Sequence, residues 1–571
     1  MKHSRLHFAS TAESKCSPLI LNPQHCDARL LDDISTEYAL RNGIVPLGRK
    51  GSITLVGAES FENFQQAHPK LEATFGSVAF VEMNREQVRS LIEDPRSMSM
   101  AHRATLRTSA RESCRSLNSI SLASWGALVI TVLALIVLAD PGLALLVVVF
   151  WATITLTAVT ALRTLGAIVQ LRTARRLGLT WFSRRNFGPG SVRLPTISLL
   201  VPLYEEQNIA AHLVERLCKL DYPKAKVDCL LILEQSDSVT ERALAAIILP
   251  NWISIIRVPT GTLKTKPRAM NYALDYARGQ IVGIFDAEDA PAPDQLRRVA
   301  DAFERAPENV ACLQGVLDFY NSRQSWLTRC FTIDYASWFR LVLPGLVRLG
   351  FSIPLGGTTV FFRRDILERI GRWDAHNVTE DADLGIRLAR RGYRTEFIPS
   401  VTLEEATATV PTWVRQRSRW IKGYAITWAV HMRQPVRLWR ELGPWRFFGF
   451  HALFLGTLSQ FVLAPVLWSF WLIPLGLPHP ITDVAPWGII VTLAILFFIS
   501  EVATLLVAAL AVSTPKHRGL IWWVPLMHLY FPLSAIACWK GLAELIFKPF
   551  YWDKTTHGLT ANQPILHQRP A

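Results

Sequence analysis

Two long apolar runs without a charged residue lie close together near residue 140 of this 571-residue chain. The first covers residues 121–139, the second covers residues 143–162, and Asp140-Pro141-Gly142 separates them. A helix rises about 1.5 Å per residue, so each run is long enough to cross a hydrocarbon core of about 30 Å. The pattern predicts a transmembrane hairpin over residues 121–163.

The C-terminal part of the chain is also apolar, and we define a membrane region there over residues 446–547. Its apolar segments are residues 447–477, 487–512 and 520–547. The loop between the first two has no Lys or Arg and should be external, whereas the loop before the third is basic and should be internal. Three crossings would leave the basic tail, residues 548–571, outside. Pro525 and Pro532 interrupt the last segment, which we therefore expect to be re-entrant or interfacial, leaving the tail inside.

Residues 195–405 lie between these membrane regions and alternate short β-rich runs with helical stretches. The runs typical of buried strands are residues 196–204, 227–233, 252–258 and 281–285. Strand and helix alternation of this kind predicts a mostly parallel sheet with its functional site at the carboxyl ends of the strands. Acidic residues follow these ends: Glu205, Glu206, Glu234, Asp237, Asp286, Glu288 and Asp289.

Asp286 and Glu288 are separated by one residue, so a turn can direct both carboxylates at one hard divalent cation. Magnesium or manganese bound this way would be a Lewis acid that neutralises a departing diphosphate. Taken alone, acidic loop residues are more often merely solvated. Lys266 and Arg268 precede this turn and add positive charge, which favours a metal and phosphate site.

Two later motifs carry further candidate chemistry. Thr379-Glu380-Asp381 introduces a helical stretch, where an acidic residue could simply cap the helix or interact with its dipole. Gln416-Arg417-Ser418-Arg419-Trp420 lies in an amphipathic stretch, residues 406–445, that could simply be interfacial. Residues 330–349 mix aromatic, aliphatic and Arg side chains, which predicts an interfacial helix, with a buried core helix as the alternative.

The N-terminal part, residues 27–100, alternates helical and β-rich stretches and predicts a small α/β domain after a disordered start at residues 1–26. Its "GIVPL" and "ITLVGAES" segments are similar to the N-terminal domain of type II secretion ATPases. Relatives of that domain bind cyclic di-GMP, so the resemblance implies a regulatory nucleotide as a partner. The chain contains no GxxxxGK[ST] loop, which excludes a P-loop ATPase.

Composition and charge narrow the class of protein. The chain is 50% hydrophobic and 19% charged, which is typical of a membrane protein, and its formal net charge is +15. Arg residues are concentrated in two linkers that flank the hairpin, residues 101–120 and 164–194, and so place both flanks in the cytosol. A solvated face beside the membrane explains this charge without nucleic acid. The 8 cysteines form no CxxC or Cys/His cluster, which predicts reduced thiols and no structural zinc.

The ordered motifs together resemble membrane-embedded family 2 glycosyltransferases, of which cellulose, chitin and hyaluronan synthases are members. The similarity covers residues 195–424 and the flanking spans. The motifs that carry it are Val201-Pro202-Leu203-Tyr204-Glu205-Glu206, Glu234 with Asp237, Asp286-Ala287-Glu288-Asp289, Thr379-Glu380-Asp381 and Gln416 with Arg419-Trp420. The resemblance implies a GT-A-like nucleotide-sugar-binding α/β domain held among transmembrane helices.

The resemblance also implies a role for each matching residue. Asp381 would be the catalytic base, Trp420 and Glu380 would bind the acceptor, and Asp286, Glu288 and Asp289 would bind Mg²⁺ or Mn²⁺. The residues implied to bind the donor are Tyr204, Glu206, Glu234, Asp237, Lys266, Arg268, Asp286, Gln416 and Arg419.

The function implied is inverting transfer from a nucleotide-diphosphate sugar, expected to be a UDP-sugar, onto a growing polysaccharide at a bacterial inner membrane. The catalytic domain would be cytosolic, membrane lipid would surround the spans, and export partners would carry the product outward. Two alternatives stay open. One is single addition to a lipid-linked acceptor, and the other is a nucleotide-sensing membrane receptor with a degenerate transferase fold.

Overall fold

The computed structural model describes residues 6–7, 27–117, 119–176, 194–207 and 210–548, without the side chains of residues 119–123, 125 and 210. Nearly all of the predicted start at residues 1–26, much of the second basic linker and the tail after residue 548 lie outside this part of the chain.

The N-terminal residues form the small α/β domain that the sequence predicts. Its strands are β1 (Leu6–His7), β2 (Ile44–Lys50), β3 (Ile53–Ala58) and β4 (Val78–Glu82), in the sheet order β1-β4-β3-β2. Its helices are α1 (Ala28–Ile34), α2 (Thr36–Asn42), α3 (Phe61–Phe75) and α4 (Arg85–Leu106). Helix α4 begins with a capping box, because Asn84 and Gln87 each accept the other's backbone N–H through a side-chain oxygen.

Two helices follow, α5 (Ser119–Ala139) and α6 (Pro141–Arg176), at the position of the predicted hairpin. Helix α6 is 36 residues long and continues well past the predicted end of the membrane segment. Its later turns therefore reach the soluble part of the molecule.

The middle of the chain forms an eight-stranded mixed sheet in the order β7-β6-β5-β8-β11-β10-β12-β9. Its strands are β5 (Ile197–Leu203), β6 (Val227–Glu234), β7 (Ile253–Val258), β8 (Ile281–Ile284), β9 (Ala290–Pro291), β10 (Val310–Phe319), β11 (Val360–Arg363) and β12 (Arg394–Glu404). Strands β7, β6, β5 and β8 are parallel, β11 is antiparallel to both of its neighbours, and β10 pairs with β12 in parallel. This confirms the α/β prediction and corresponds to a GT-A-like fold.

The helices of this domain cover the sheet and connect it to the rest of the chain. They are α7 (Ala210–Cys218), α8 (Ser238–Ala245), α9 (Lys266–Ala273), α10 (Gln295–Arg305), α11 (Trp326–Ala336), α12 (Leu343–Arg348), α13 (Arg364–Arg369) and α14 (Glu380–Arg390). Strand β6 is buried at every position because helices pack on both faces of the sheet, as its continuous apolar sequence predicts.

The C-terminal part is helical. Its helices are α15 (Val410–His431), α16 (Pro435–His451), α17 (Thr457–Val462), α18 (Ala464–Ser469), α19 (Ile481–Val484), α20 (Trp487–Ala511) and α21 (Met527–Phe547). A 3₁₀ turn over Arg518–Leu526 precedes α21, and that helix continues through Pro532. The break predicted in the last segment therefore lies before Met527, and the side on which the tail emerges stays a prediction.

Three helical stretches of the described chain are long and apolar enough to cross a membrane: Pro141–Arg176, Trp487–Ala511 and Arg518–Phe547. A bent pair, Pro435–Val462 and Ala464–Leu472, would be a fourth if it forms one span, and it bends by 58° at the break between its halves. In α5 the described apolar stretch, Gly126–Ala139, is shorter.

The α/β domain is held against these helices through close packing of α12 on α6. Gly345 and Gly166 lie so close that a Cβ on Gly345 would stand 1.8 Å from the Gly166 carbonyl oxygen. The two backbones can approach this closely only because both positions are glycine. Residues 330–349 are mostly buried, as the alternative of a core helix predicts, and the interfacial position stays a prediction.

The N-terminal domain packs on the opposite side, with α4 against α9. Arg278 forms two 2.7 Å hydrogen bonds to Glu59, and the side chain of Asn271 donates to the Ala104 carbonyl at 2.9 Å. Since α9 begins with Lys266, the N-terminal domain supports a helix that also belongs to the candidate site.

Candidate functional site

The turn after β8 presents two of the three predicted metal ligands to a large cavity. The side chains of Asp286 and Glu288 line this cavity, whereas Asp289 is fully buried behind the turn. There its carboxylate accepts the backbone N–H of Asp286 at 2.8 Å and the hydroxyl of Thr358. Burial and the neighbouring carboxylates of Asp286 and Glu288 raise the pKa of Asp289 well above its usual range. The structure corrects the prediction for Asp289: it shapes the turn and does not face the cavity.

Lys266 joins the metal-ligand turn to the opposite wall. Its Nζ lies 2.5 Å from Asp286 Oδ1 and donates to the carbonyl oxygen of Gly357 at 3.1 Å. Burial favours loss of its proton, but the charges of Asp286 and Glu380 outweigh burial and raise the pKa of Lys266. The ammonium group is therefore a permanent positive charge beside Asp286.

Asp381 lies on the far side of the same glycine. Its Oδ2 accepts the backbone N–H of Gly357 at 2.6 Å, and its Oδ1 accepts the N–H of Ala382 at 2.8 Å. Helix α14 starts at Glu380, and the residue at its N-cap, Thr379, makes no side-chain capping bond. Asp381 thus accepts a hydrogen bond from Gly357, in the loop before β11. Its contacts therefore extend beyond the helix-capping role that the sequence left open.

Gly357 holds this arrangement together. Its φ of +37° lies in the left-handed region, and a Cβ there would meet Asp381 Oδ2 at 3.0 Å. A side chain at this position would strain the backbone and crowd the carboxylate. Asp286, Lys266, Gly357 and Asp381 therefore form one continuous chain of hydrogen bonds across the cavity wall.

Burial changes the protonation of the acidic pair at the start of α14. It raises the pKa of Glu380 to about 7, with the negative charge of Asp381 as the next cause. It also raises the pKa of Asp381 above its usual value. The protonation of the two carboxyl groups is therefore linked, because a negative charge on Asp381 raises the pKa of Glu380.

A second wall of the cavity is formed at the ends of β5 and β6. Three of the predicted donor-binding residues, Tyr204, Glu206 and Glu234, line it, and their role in donor binding stays a prediction. Burial raises the pKa of Glu234, and the nearby Arg268 opposes this effect. The three side chains offer an aromatic ring and two hydrogen-bond acceptors to a ligand.

Two predicted donor-binding residues lie behind this wall and do not line the cavity. Arg268 is 1% exposed and forms an ion pair with Glu234 at 3.1 Å. Asp237 caps α8 through the N–H groups of Val239 and Thr240, and it also accepts the N–H of Glu205 at 2.7 Å. The structure corrects both predictions, since these side chains hold the wall in place instead of facing a ligand.

Helix α15 supplies the third wall. Gln416, Arg419 and Trp420 are three and four residues apart, so they share one helix face, and all three line the cavity. Burial lowers the pKa of Arg419, but the carboxylates of Glu380 and Asp286 oppose that shift. The guanidinium therefore keeps its charge next to the acidic cluster.

Sequence reasoning missed Glu404, which ends β12 and also lines the cavity. Burial raises its pKa well above the usual range, with Asp289 and Glu288 as further causes. Its Oε1 is buried and has no hydrogen-bond partner among the described residues. The signal available in the sequence was its position, because Glu404 is the last residue of a strand, β12, that runs parallel to β10.

Arg417 was part of the predicted motif but had no role. Its guanidinium donates to Asp334 at 2.7 Å and lies 5.0 Å from the ring of Trp420. The ring of Tyr335 lies 6.2 Å from that of Trp420 on another side. These contacts fix the orientation of the indole that faces the cavity.

The cavity has a volume of about 1040 Å³ and extends from this site into the apolar helices. Its far part is lined by residues of α17, α18, α20, α21 and the 3₁₀ turn Phe470–Leu472, among them Thr457, Phe461, Trp468, Trp471, Phe498, Glu501 and His528. A single cavity thus joins the acidic cluster to the candidate membrane segments.

The carboxylates that face the cavity can hold a divalent cation only if a bound substrate supplies further oxygen atoms. Among the described residues, no three His, Cys, Asp or Glu side chains are arranged around one metal position. Asp286 and Glu288 nevertheless both face the cavity, and hard cations accept oxygens from phosphates as readily as from carboxylates. Two carboxylates and a diphosphate would therefore complete a coordination shell.

Known proteins are similar to part of this chain. Residues 281–539 match the family model described as glycosyl transferase family group 2. A beta-monoglucosyldiacylglycerol synthase of Trichormus variabilis is 29% identical over 235 residues, which is 40% of this chain and 49% of that protein. A probable glucomannan 4-beta-mannosyltransferase of Oryza sativa subsp. japonica is 23% identical over 315 residues, 53% of this chain and 56% of that protein. The chain thus spans about half the length of these relatives.

One solved structure with a related outline is a mannosyltransferase from Pyrobaculum calidifontis in complex with GDP-mannose and Mn²⁺. It is 18% identical to this chain, with a TM-score of 0.43, and the match covers 68% of this chain and 98% of the other.

Proposed function

We propose that this chain, whose residues 281–539 match the model of glycosyl transferase family group 2, transfers a sugar from a nucleotide-diphosphate donor to a glycan acceptor with inversion at the anomeric carbon. The observation that carries the proposal is the hydrogen-bonded chain from Asp286 through Lys266 and Gly357 to Asp381. It supports the proposal because the ammonium group of Lys266 and the carboxylate of Asp381 bind the same glycine, one through its carbonyl oxygen and the other through its N–H.

The nucleotide-sugar donor would lie between the two cavity walls on either side of these hydrogen bonds. Tyr204, Glu206 and Glu234 would contact the nucleoside, with the ring of Tyr204 available to stack on the base. Lys266 and Arg419 would pair with the diphosphate, and Gln416 would add hydrogen bonds to it. A UDP-sugar is the donor that we propose, and a GDP-sugar is the other member of the class to test.

A divalent cation, Mg²⁺ or Mn²⁺, would be held by Asp286, Glu288 and oxygens of the donor. When bound, it would neutralise charge on the leaving diphosphate. Lys266 contributes to the same task, since its ammonium group already contacts Asp286.

Asp381 would be the general base. As the acceptor oxygen forms its bond to the anomeric carbon, the bond from that carbon to the diphosphate breaks and Asp381 Oδ takes the hydroxyl proton. The Gly357 N–H donates to Asp381 Oδ2 and the Ala382 N–H donates to Oδ1. The backbone therefore fixes the orientation of the carboxylate. Trp420 would present its ring to the C–H face of the acceptor sugar, with Glu380 beside it.

Elongation of a polysaccharide at a bacterial inner membrane is the reaction that we propose for this site, with the α/β domain in the cytosol. The cavity that leads from the site into apolar helices supports it, because a product could leave along this path. Cyclic di-GMP binding by the N-terminal domain and export partners belong to the same proposal.

Single addition to a lipid-linked acceptor is a second candidate, favoured by the apolar lining of the far cavity and by the glycolipid synthase among the relatives. The length of the product separates the two, because elongation gives a ladder or a high polymer and single addition gives one new glycolipid. Membranes that contain the full chain would be incubated with labelled nucleotide sugars and the products separated by size.

The experiment that tests the proposal measures nucleoside diphosphate release from a panel of UDP- and GDP-sugars, with Mg²⁺, Mn²⁺ or EDTA. We expect release with at least one donor, loss of release in EDTA, and loss in Asp381→Asn. Asp365→Asn is the matched control, because Asp365 is an exposed acid on α13 that pairs with Arg369 at the surface. Full turnover in Asp381→Asn would contradict the assignment of the base.

A further inference from the structure

A polar and aromatic cluster lies at the far part of the cavity, among helices that are otherwise apolar. His528 Nδ1 and Glu501 Oε1 are 2.7 Å apart, joining α21 to α20. The ring of Trp468 is stacked on that of His528 at 4.9 Å and 21°, and Trp471 meets the same ring edge-on at 5.3 Å and 89°. All four side chains line the cavity.

The position of Glu501 makes this cluster costly. It is the fifteenth of 25 residues in α20, a helix apolar enough to cross a membrane, so it lies roughly 20 Å along the helix axis from Trp487. Ionisable side chains at such depth are expensive and usually face a polar path or a ligand. The cluster therefore needs an explanation beyond its apolar surroundings.

An ion pair that only joins α20 to α21 does not fully explain why ionisable side chains lie among these apolar helices. The side chains of His528 and Glu501 remain 30% and 33% exposed despite their mutual contact. Trp468 and Trp471 are also partly exposed, at 37% and 48%. A pair that served only to join α20 and α21 would be expected to close against neighbouring side chains, as the buried pair of Arg387 and Asp383 does at 0% exposure.

We propose that Glu501, His528, Trp468 and Trp471 form a subsite for a hexopyranose unit of the acceptor or product. Indole faces match the C–H face of a pyranose ring, and a carboxylate beside an imidazole can accept and donate hydrogen bonds to its hydroxyls. The inference rests on the proposed transferase function, and it extends that function by giving the glycan a second binding position in the same cavity.

Two sources could supply this sugar. It is either the head group of a glycolipid that enters from the membrane or a unit of a glycan that extends from the catalytic site. Both present the same pyranose chemistry to the cluster, so the probes must separate them. The probes are radiolabelled dodecyl β-D-glucopyranoside for the first source and labelled cellohexaose for the second.

The experiment measures equilibrium binding of each probe to the full chain in lipid nanodiscs, because glycoside detergents would compete for the subsite. Glu501→Gln keeps the shape of the side chain and removes its charge, and Trp471→Ala removes one ring. Trp522→Ala is the matched control, since Trp522 is 85% exposed and does not line the cavity. Thermal unfolding of every variant checks that it is folded.

We expect Glu501→Gln and Trp471→Ala each to weaken the binding of at least one probe by about tenfold, the loss typical of one charge-assisted hydrogen bond or one well-packed ring. Trp522→Ala should bind like the wild type. The probe that is weakened identifies the source of the sugar. If Glu501→Gln does not fold, the result for Trp471→Ala decides. Binding of both probes within twofold of wild type in the folded variants would overturn the inference.

A kinetic measurement keeps this inference separate from the proposed function. In Glu501→Gln, diphosphate release by donor hydrolysis without an acceptor should equal that of the wild type, while the KM for the acceptor rises about tenfold. No release by the wild-type chain with any donor would reject the transferase function and leave the binding result standing. Normal acceptor KM in an active Glu501→Gln variant would reject the subsite alone.

Discussion

Lys266 Nζ and Asp286 Oδ1 lie 2.5 Å apart at the carboxyl edge of the sheet, so a cation and a candidate metal ligand face the cavity as a pair. The two residues come from different elements, because Asp286 follows β8 and Lys266 is the first residue of α9. It ties the position of the proposed diphosphate site to the packing of both.

Replacing Lys266 by Met should reduce kcat by about a hundredfold, because one electrostatic contact to the leaving group is lost. Nucleoside diphosphate release at saturating donor measures the effect. Lys219→Met is the control, since Lys219 is exposed and pairs with Glu215 of α7 at the surface. A Lys266→Met variant with wild-type kcat would contradict the role of the ammonium group.

The acid limb of the pH profile should report the Asp381 and Glu380 pair. A general base works only when deprotonated, and burial raises the pKa of Asp381, so kcat/KM should fall as the pH drops through that raised pKa. Glu380→Gln removes a neighbouring negative charge and should lower the pKa of Asp381, which shifts the limb to lower pH. The measurement is kcat/KM between about pH 5 and pH 9, and an unshifted limb in Glu380→Gln would contradict the coupling.

Arg268 should behave as a structural partner of Glu234. Arg268→Met leaves a buried carboxylate without its counter-charge, which typically costs about 3–5 kcal/mol. Adding Glu234→Gln should restore part of the free energy of unfolding, because the uncompensated charge is then removed. Chemical unfolding of both variants measures this, with Arg257→Met on exposed surface as the control. Normal stability of Arg268→Met with weakened donor binding would instead support the role that the sequence predicted.

The contact between α12 and α6 should tolerate no side chain. Gly345→Ala places a methyl group against the Gly166 carbonyl and should cost at least about 1–3 kcal/mol, because two helix backbones must separate. Gly488→Ala is the matched control, since no atom lies within 4 Å of a Cβ there. Thermal unfolding in nanodiscs compares them, and equal midpoints would contradict the close packing.

Much of the fold and part of the site could be predicted from the order of residues. Buried strands are continuous apolar runs, and in a parallel sheet their carboxyl ends meet at one edge, so the positions of Glu234 and Asp286 followed from local pattern alone. The same holds for Gln416, Arg419 and Trp420, because residues three and four apart on a helix share a face.

The sequence by itself determined the apolar segments, the small N-terminal domain, the α/β sheet and the edge that carries the acidic residues, because each depends on periodicity within a short stretch. Only the tertiary structure decided which side chains face the cavity. Asp237, Arg268 and Asp289 turn toward backbone groups and buried partners, whereas Glu404 and the pair of Glu501 and His528 reach the cavity from distant elements. The direction of these side chains depends on partners in other elements, 34 residues away for Arg268 and Glu234 and 69 for Asp289 and Thr358, and no local pattern encodes such partners.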